Sequence, residues 1–269
     1  MQAWLDTAAA IAEEAGDRIV RAWRGRRNVT HKGAVDLVTD TDTEVEELVV
    51  HRLREAFPSH EIVAEESAEA DPRERIGAAA HAWIVDPLDG TTNFAHGYPH
   101  VAVSIGLMKH GVPALGVVRD PLRRETFTAV RGHGAFLDGS RIQVSTTANL
   151  DAALIGTGFP YDRREHAAAY LRFVQDFLER VQGIRRAGTA SLDLCWVACG
   201  RLDGFWELKL KPWDVAAGAA IVLEAGGWVT DFADGPFDAC GGQVVASNGL
   251  IHAAICELTA ARLELESSL

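Results

Sequence analysis

The segment Trp83-Ile84-Val85-Asp86-Pro87-Leu88-Asp89-Gly90-Thr91-Thr92-Asn93 gathers residue types that can do chemistry together. An apolar run ends in two carboxylates three positions apart, followed by a glycine, two hydroxyls and an amide. Carboxylates hold hard cations through oxygen. The backbone N–H groups of Gly90 and Thr91, opening a short helical turn, make a place for an anion. Cations beside an anion cradle point to metal-assisted phosphoryl chemistry.

Ala82 to Val85 reads as a buried strand, so Asp86 emerges at the end of a core element. Pro87 has no N–H and is expected to stop that strand. Two carboxylates at a buried edge repel each other and need a shared proton or cations between them. The Leu88 carbonyl is a further oxygen in the same turn. Three other acids stand out, each with a plain structural reading beside the functional one. Asp42 could cap a helix, Glu65 with Glu66 could end a solvated strand, and Asp214 after Pro212-Trp213 could be a first-turn acid near a helix dipole.

The elements that must position these acids follow from periodicity. Leu5, Ala8, Ala12, Ala15, Ile19 and Trp23 predict an amphipathic helix over 3–24. Val45, Leu48, Val49 and Leu53 predict a second over 43–56, with Thr41 or Asp42 as N-cap. Strands are expected at 61–64 and 82–86. From 101 to 145 strand-like runs separated by glycine turns predict a mostly antiparallel meander, with Asp138-Gly139 as a hairpin turn. Thereafter helices are expected over 164–181, 189–200, 213–226 and 249–265, with strands between them at 203–207 and 228–231. This predicts an α/β layered sandwich of two packed subdomains. Residues 1–147 form an α+β half carrying most of the acids, and 148–269 an alternating α/β half carrying Asp214.

Whole-chain properties narrow the function classes. The 269 residues carry 38 acidic and 26 basic side chains, a formal charge of −12 that disfavours nucleic acid and anionic membranes as partners. No signal peptide or bilayer span is evident, so the cytoplasm is the expected compartment. Cys195, Cys199, Cys240 and Cys256 lack a zinc spacing and read as free, buried thiols. His31, His96 and His100 have no metal spacing either and are expected to pack or face water. Arg185-Arg186 reads as a solvated pair.

Three local patterns are decoys. Asp40-Thr41-Asp42-Thr43 matches the Asp-x-Asp-x-Thr signature of haloacid-dehalogenase-type phosphatases, but no buried strand is expected before it. The same segment fails as an EF-hand because Glu44 and Val45 occupy positions that need Asp or Asn and glycine. Gly132-His133-Gly134 reads as a turn rather than a nucleotide loop.

The ordered set of segments resembles the inositol monophosphatase family over nearly the whole chain. It comprises Asp36 to Asp42, Val63-Ala64-Glu65-Glu66-Ser67, Trp83 to Phe94, Gly188-Thr189-Ala190-Ser191, Trp213 to Gly218, and Glu224-Ala225-Gly226-Gly227. The resemblance implies a two-subdomain α/β sandwich and a lithium-sensitive phosphomonoesterase using two or three Mg²⁺ ions. By resemblance Glu65, Asp86 and the Leu88 carbonyl hold one ion. Asp86, Asp89 and Asp214 hold another, and a third sits near Glu65. Glu66 and Lys32 support these ligands, while Asp42 and Thr91 orient the attacking water. Asp89, Gly90, Thr91, Gly188, Thr189, Ala190 and Glu207 resemble the residues that contact the phosphorylated polyol. Gly158-Phe159-Pro160-Tyr161 looks like the bacterial branch.

The resemblance makes hydrolysis of myo-inositol monophosphate the leading expectation, with a homodimer as the expected assembly. The rivals are fructose 1,6-bisphosphate, histidinol phosphate and a nucleotide 3′-phosphate as substrate. A different class of reading is a binding protein associated with the transcription machinery.

Overall fold

The computed structural model describes residues 1–25, 29–31, 37–68 and 71–266. The chain opens with helix α1 (Gln2–Trp23). A short antiparallel ribbon, β1 (Val29–His31) and β2 (Leu37–Thr39), leads into α2 (Asp40–Ala56). Then come β3 (Glu61–Ala64), α3 (Pro72–Ala78), β4 (His81–Asp89) and α4 (Thr91–His96). The meander follows as β5 (Ala102–Lys109), β6 (Val112–Asp120), β7 (Glu125–Val130), β8 (Gly134–Leu137) and β9 (Ser140–Ile142). Strands β3 to β9 form one sheet in sequence order, antiparallel except for the parallel β3–β4 pair.

The second half alternates, as its pattern predicts. Its elements are β10 (Leu154–Thr157), α5 (Arg163–Leu178), β11 (Gly183–Arg185), α6 (Ala190–Ala198) and β12 (Gly204–Leu208). They continue with α7 (Pro212–Glu224), β13 (Trp228–Thr230), β14 (Gln243–Ser247) and α8 (His252–Leu265). The five strands order as β11-β10-β12-β14-β13.

Side-chain alternation turns these sheets into layers. Trp83 and Val85 of β4 join α1 and α2 in one apolar cluster, while Ala82 and Ile84 join α6 and α7 in another. Both faces of the large sheet are therefore buried, which explains its nearly continuous apolar runs. The second cluster also takes Phe205, Val244 and Ala246 from the small sheet, whose other face packs on α5 and α8. The result is a five-layer α/β/α/β/α sandwich. The layers sit close: a Cβ on Gly116 of β6 would lie 2.3 Å from the Ala217 carbonyl oxygen of α7.

Two local readings are corrected. Pro87 does not stop β4. The pairing with β5 shifts between Asp86 and Asp89, so Pro87 falls in a bulge that needs no ladder N–H. Helix α2 begins three residues earlier than expected, with Thr39 as N-cap and Asp42 as the third helical residue of a reciprocal capping box. Asp40 is thus the exposed first residue of a helix, not the end of a buried strand. The Asp138-Gly139 turn does join β8 to β9, with φ of 48° and 78° at the two positions.

Candidate active site

The end of β4 and the N-termini of α4, α6 and α7 meet around a cleft of about 230 Å³. Glu65, Asp86, Leu88, Asp89 and Asp214 line it, drawn from three separated parts of the chain. Gly90, Thr91, Gly188, Ala190 and Glu207 also line it.

Asp86 is the centre of the acidic group. It is 2% exposed, and its Oδ1 accepts one hydrogen bond, from Leu88 N at 3.0 Å. Burial drives its pKa well above the usual carboxylate range, and the negative charges of Glu65, Asp89, Asp214 and Asp42 add to the push. Asp89 accepts two bonds at Oδ2 from the start of α6: Ser191 N at 2.8 Å and Ser191 Oγ at 2.6 Å. Burial still lifts it to about 6. Asp214, third residue of α7, accepts Lys211 N at 2.6 Å; burial and then the charge of Asp89 raise it to about 7. Among the described residues no lysine or arginine forms an ion pair with Asp86, Asp89 or Asp214.

Asp42 stands one hydrogen bond behind the cleft wall. It is 1% exposed, and Thr91 Oγ1 donates to its Oδ1 at 2.7 Å. Its other oxygen accepts from Thr39 N at 2.8 Å and from the Thr39 hydroxyl. Burial raises its pKa against these hydrogen bonds. Gly90 precedes Thr91 with φ of 94°, and a Cβ there would lie 2.6 Å from Thr189 Oγ1. Only glycine makes this turn, which sets the first N–H groups of α4 at the cleft.

The opposite wall comes from the second half. Gly188 and Ala190 line the cleft, but Thr189 is buried and its hydroxyl donates to the His100 carbonyl at 2.9 Å. The structure does not put the Thr189 side chain on the wall. Glu207 is half-buried, and burial lifts its pKa well above normal despite the nearby Arg186. A Cβ on Gly158 would meet its carboxylate at 2.1 Å, so the Gly158–Tyr161 loop folds directly over it. Arg186 is not merely one of a solvated pair. It is exposed yet lines the cleft, while Arg185 hydrogen-bonds the Ile184 carbonyl outside it. His100 is buried against Trp196 and His96 is exposed. All four cysteines are free, but only Cys195 and Cys256 are buried; Cys199 and Cys240 are half-buried, against the expectation. Lys32 and Asp36 lie outside the described residues.

Three supporting residues escaped the sequence reading. Ser191 grips Asp89, as above. Glu46, buried on α2, accepts Glu66 N at 2.7 Å and so fixes the Glu65-Glu66 turn at the end of β3. Asn93 Nδ2 reaches the carbonyls of His100 and Ala187, each at 2.9 Å, and ties α4 to the Gly188 wall. A polar residue at helical spacing within an apolar stripe, as Glu46 is beside Val45 and Val49, was the signal available for one of them.

The arrangement is an oxygen-only donor set whose members oppose one another's ionisation. Hard divalent cations fit it, because they replace mutual repulsion by attraction. Beside them a turn of free N–H groups accepts an anion. The cleft suits a small ester rather than a bulky one.

Comparison with known proteins places the chain in a family. The model of the inositol monophosphatase family matches residues 1–264. An inositol-1-monophosphatase from Synechocystis is 43% identical over 97% of this chain and 90% of that protein. The Escherichia coli K12 protein named Nus factor SuhB is 41% identical over 92% of each chain. The solved inositol monophosphatase from Anabaena superposes with a TM-score of 0.86 at 40% identity, covering 97% of this chain and 96% of that one. The chain belongs to the inositol monophosphatase family.

Proposed function

We propose that the protein is a Mg²⁺-dependent phosphomonoesterase for small phosphorylated polyols, with myo-inositol monophosphate as its first substrate. The observation that carries this reading is the convergence of buried Asp86 and Asp89 with half-buried Asp214, none of them ion-paired to a lysine or arginine among the described residues, beside the Gly90–Thr91 turn. In this reading Glu65, Asp86 and the Leu88 carbonyl hold one ion, and Asp86, Asp89 and Asp214 a second. A third sits near Glu65. Bound Mg²⁺ supplies charge neutralisation on the phosphoryl oxygens and a lowered pKa for coordinated water.

The chain's own groups do the rest. The Gly90 and Thr91 N–H groups orient the phosphoryl oxygens. Thr91 Oγ1 passes its proton to Asp42 Oδ1 as it takes one from the attacking water, which the 2.7 Å bond between them permits. Glu207, Ala190 and Gly188 face the polyol, with Glu207 accepting ring hydroxyls. Glu66 and Glu46 keep Glu65 in place.

A panel of phosphate esters compared by kcat/KM tests this. Inositol phosphates are expected to lead, with turnover lost on chelation of divalent ions and in Asp89→Asn. A clear preference for fructose 1,6-bisphosphate, histidinol phosphate or a nucleotide 3′-phosphate would overturn the substrate. Full turnover in metal-free buffer would overturn the reaction class. The relatives named Nus factor SuhB favour a second reading, association with the transcription machinery. Co-purification with RNA polymerase that survives Asp89→Asn is its test.

A further inference from the structure

We propose that Asp234, His252 and Cys256 form a second metal site, for a borderline transition-metal ion such as Zn²⁺, apart from the acidic cleft. His252 and Cys256 stand four residues apart in the first turns of α8, so they share one face. Asp234 reaches over them from the turn after β13. One ligand atom from each side chain lies within 4.8 Å of the other two. Donors around a tetrahedral zinc ion sit roughly 3.3–3.8 Å apart, given bond lengths of about 2.0–2.3 Å. His252 and Asp234 already meet this: Nε2 to Oδ1 is 3.6 Å. The set needs only a small closure.

The surroundings point the same way. His252 is 1% exposed, and its Nδ1 lies 2.9 Å from Ser247 Oγ, which fixes the ring and turns Nε2 toward the cluster. A second hydrogen bond of this kind is the usual support of a metal-bound imidazole. Thr230 Oγ1 donates to the Asp231 carbonyl at 2.8 Å and lies 2.8 Å from Nε2 and 3.7 Å from Cys256 Sγ, so it hydrogen-bonds the ring in the empty site and would yield Nε2 to a bound ion. A histidine and a cysteine in one hydrogen-bond network do not by themselves call for an ion. What singles out this network is the carboxylate of Asp234, which adds a negative charge over a buried thiol and imidazole. Mixed nitrogen, sulfur and oxygen donors select zinc-like ions over Mg²⁺. None of these residues lines the acidic cleft. An ion here would tie the β13 turn to α8.

Cobalt reports on the site directly. Full-length, metal-stripped protein is titrated with Co²⁺ in excess Mg²⁺, which keeps the oxygen-only cleft filled. The expected result is a thiolate-to-cobalt charge-transfer band in the near ultraviolet, saturating at one equivalent and bleached by Zn²⁺. Cys256→Ser abolishes the band. Asp234→Asn, at an exposed position that leaves the fold intact, weakens Co²⁺ binding by roughly tenfold or more. Asp214→Asn in the cleft leaves the band unchanged. Absence of the band, its survival in Cys256→Ser, or unchanged affinity in Asp234→Asn would overturn the proposal. Because the readout is spectroscopic, failure of the phosphatase reading would leave it standing.

Discussion

Acidic side chains meet two opposite fates in this molecule. On the surface of the second half, Asp162 pairs with Lys209 Nζ at 2.5 Å and accepts Tyr170 Oη at 2.7 Å, and its pKa falls. Glu125 pairs with both terminal nitrogens of Arg201 at 2.6 Å, and its pKa falls too. In the cleft, the hydrogen bonds that Asp86, Asp89 and Asp214 accept among the described residues come from N–H groups and a serine hydroxyl, and their pKa values rise. The residue types are the same. The difference is whether the fold supplies the cation. Where it does, the pair contributes to structure; where a carboxyl is desolvated without such a pairing, it is held toward its neutral form, and its repulsion is what a bound cation would relieve.

The sharpest way to break this contrast is to remove a cleft acid. Asp214→Asn keeps the shape and the Lys211 hydrogen bond but deletes a charge. Losing several kcal/mol of metal-borne stabilisation predicts a fall in kcat/KM of about a thousandfold or more. The variant should at the same time be more stable than the parent in metal-free buffer, because repulsion is relieved. Steady-state kinetics and thermal unfolding on one sample check both. A variant that loses stability and keeps activity would place Asp214 with the structural acids.

Asp42 tests the next level. It sits behind Thr91 rather than in the cleft, so Asp42→Asn should leave metal affinity nearly intact. Loss of a positioned base predicts a fall in kcat of about 10²–10⁴-fold with little change in KM. Thr91→Val should reproduce the kcat effect. Equal losses in KM would instead make the pair a structural strut for α4.

The raised pKa values carry a pH signature of definite sign. A carboxyl whose folded pKa lies above its unfolded value binds more protons when folded. Its stability contribution is therefore lost as pH rises. Asp214, at about 7 against an ordinary 3.8, is ionised in the unfolded chain throughout pH 6–8 but titrates there when folded. Metal-free protein should lose about 1–2 kcal/mol between pH 6 and pH 8, lowering Tm by about 2–6 °C. Mg²⁺ at pH 8 should reverse the loss. A flat pH profile without metal would show that the cleft acids are not strained when empty.

How much of this was legible beforehand follows the same division. Long periodic helices such as α1 and α2, and the meander from β5 to β9, announced themselves because burial imposes a period over many residues. Strands of three to five residues, such as β1, β10, β11 and β14, carry too little pattern to stand out. The Asp86–Asp89 pair was readable from its own repulsion. Glu65, Asp214 and Glu207 gained functional meaning only by resemblance, since nothing local tells a metal-facing acid from a first-turn acid. The bulge at Pro87 was hidden because proline normally ends a strand, and the pairings of Asp86 with Ser104 and of Asp89 with Ala102, out of local view, decide otherwise. Ser191 and Asn93 act across more than 90 residues of chain, a distance at which sequence pattern is silent.

Ser191→Ala probes the border between the two classes, since Asp89 would keep its place but lose one hydroxyl bond at 2.6 Å. An outer hydrogen bond to a metal ligand predicts about a 10–100-fold loss in Mg²⁺ affinity or activity, largely recovered at high Mg²⁺. A loss that Mg²⁺ cannot recover would mean that Ser191 orients substrate instead.

The smallest effect belongs to the paired acids. Glu125→Gln removes a charge from a partly exposed pair while keeping its shape, so screening limits the cost to about 1 kcal/mol or less. The sign is opposite to that in the cleft. The Arg201 hydrogen bonds lower the pKa of Glu125, so its contribution is complete above the unfolded carboxyl range and is lost as pH falls through the folded value. The parent and Glu125→Gln should therefore differ in Tm by about 2–4 °C at pH 7 and converge in acid. The gap at pH 7 should be the same with and without Mg²⁺, and kcat/KM should not move. Any dependence of that gap on Mg²⁺ would mean that the fold does not keep its two kinds of acid apart.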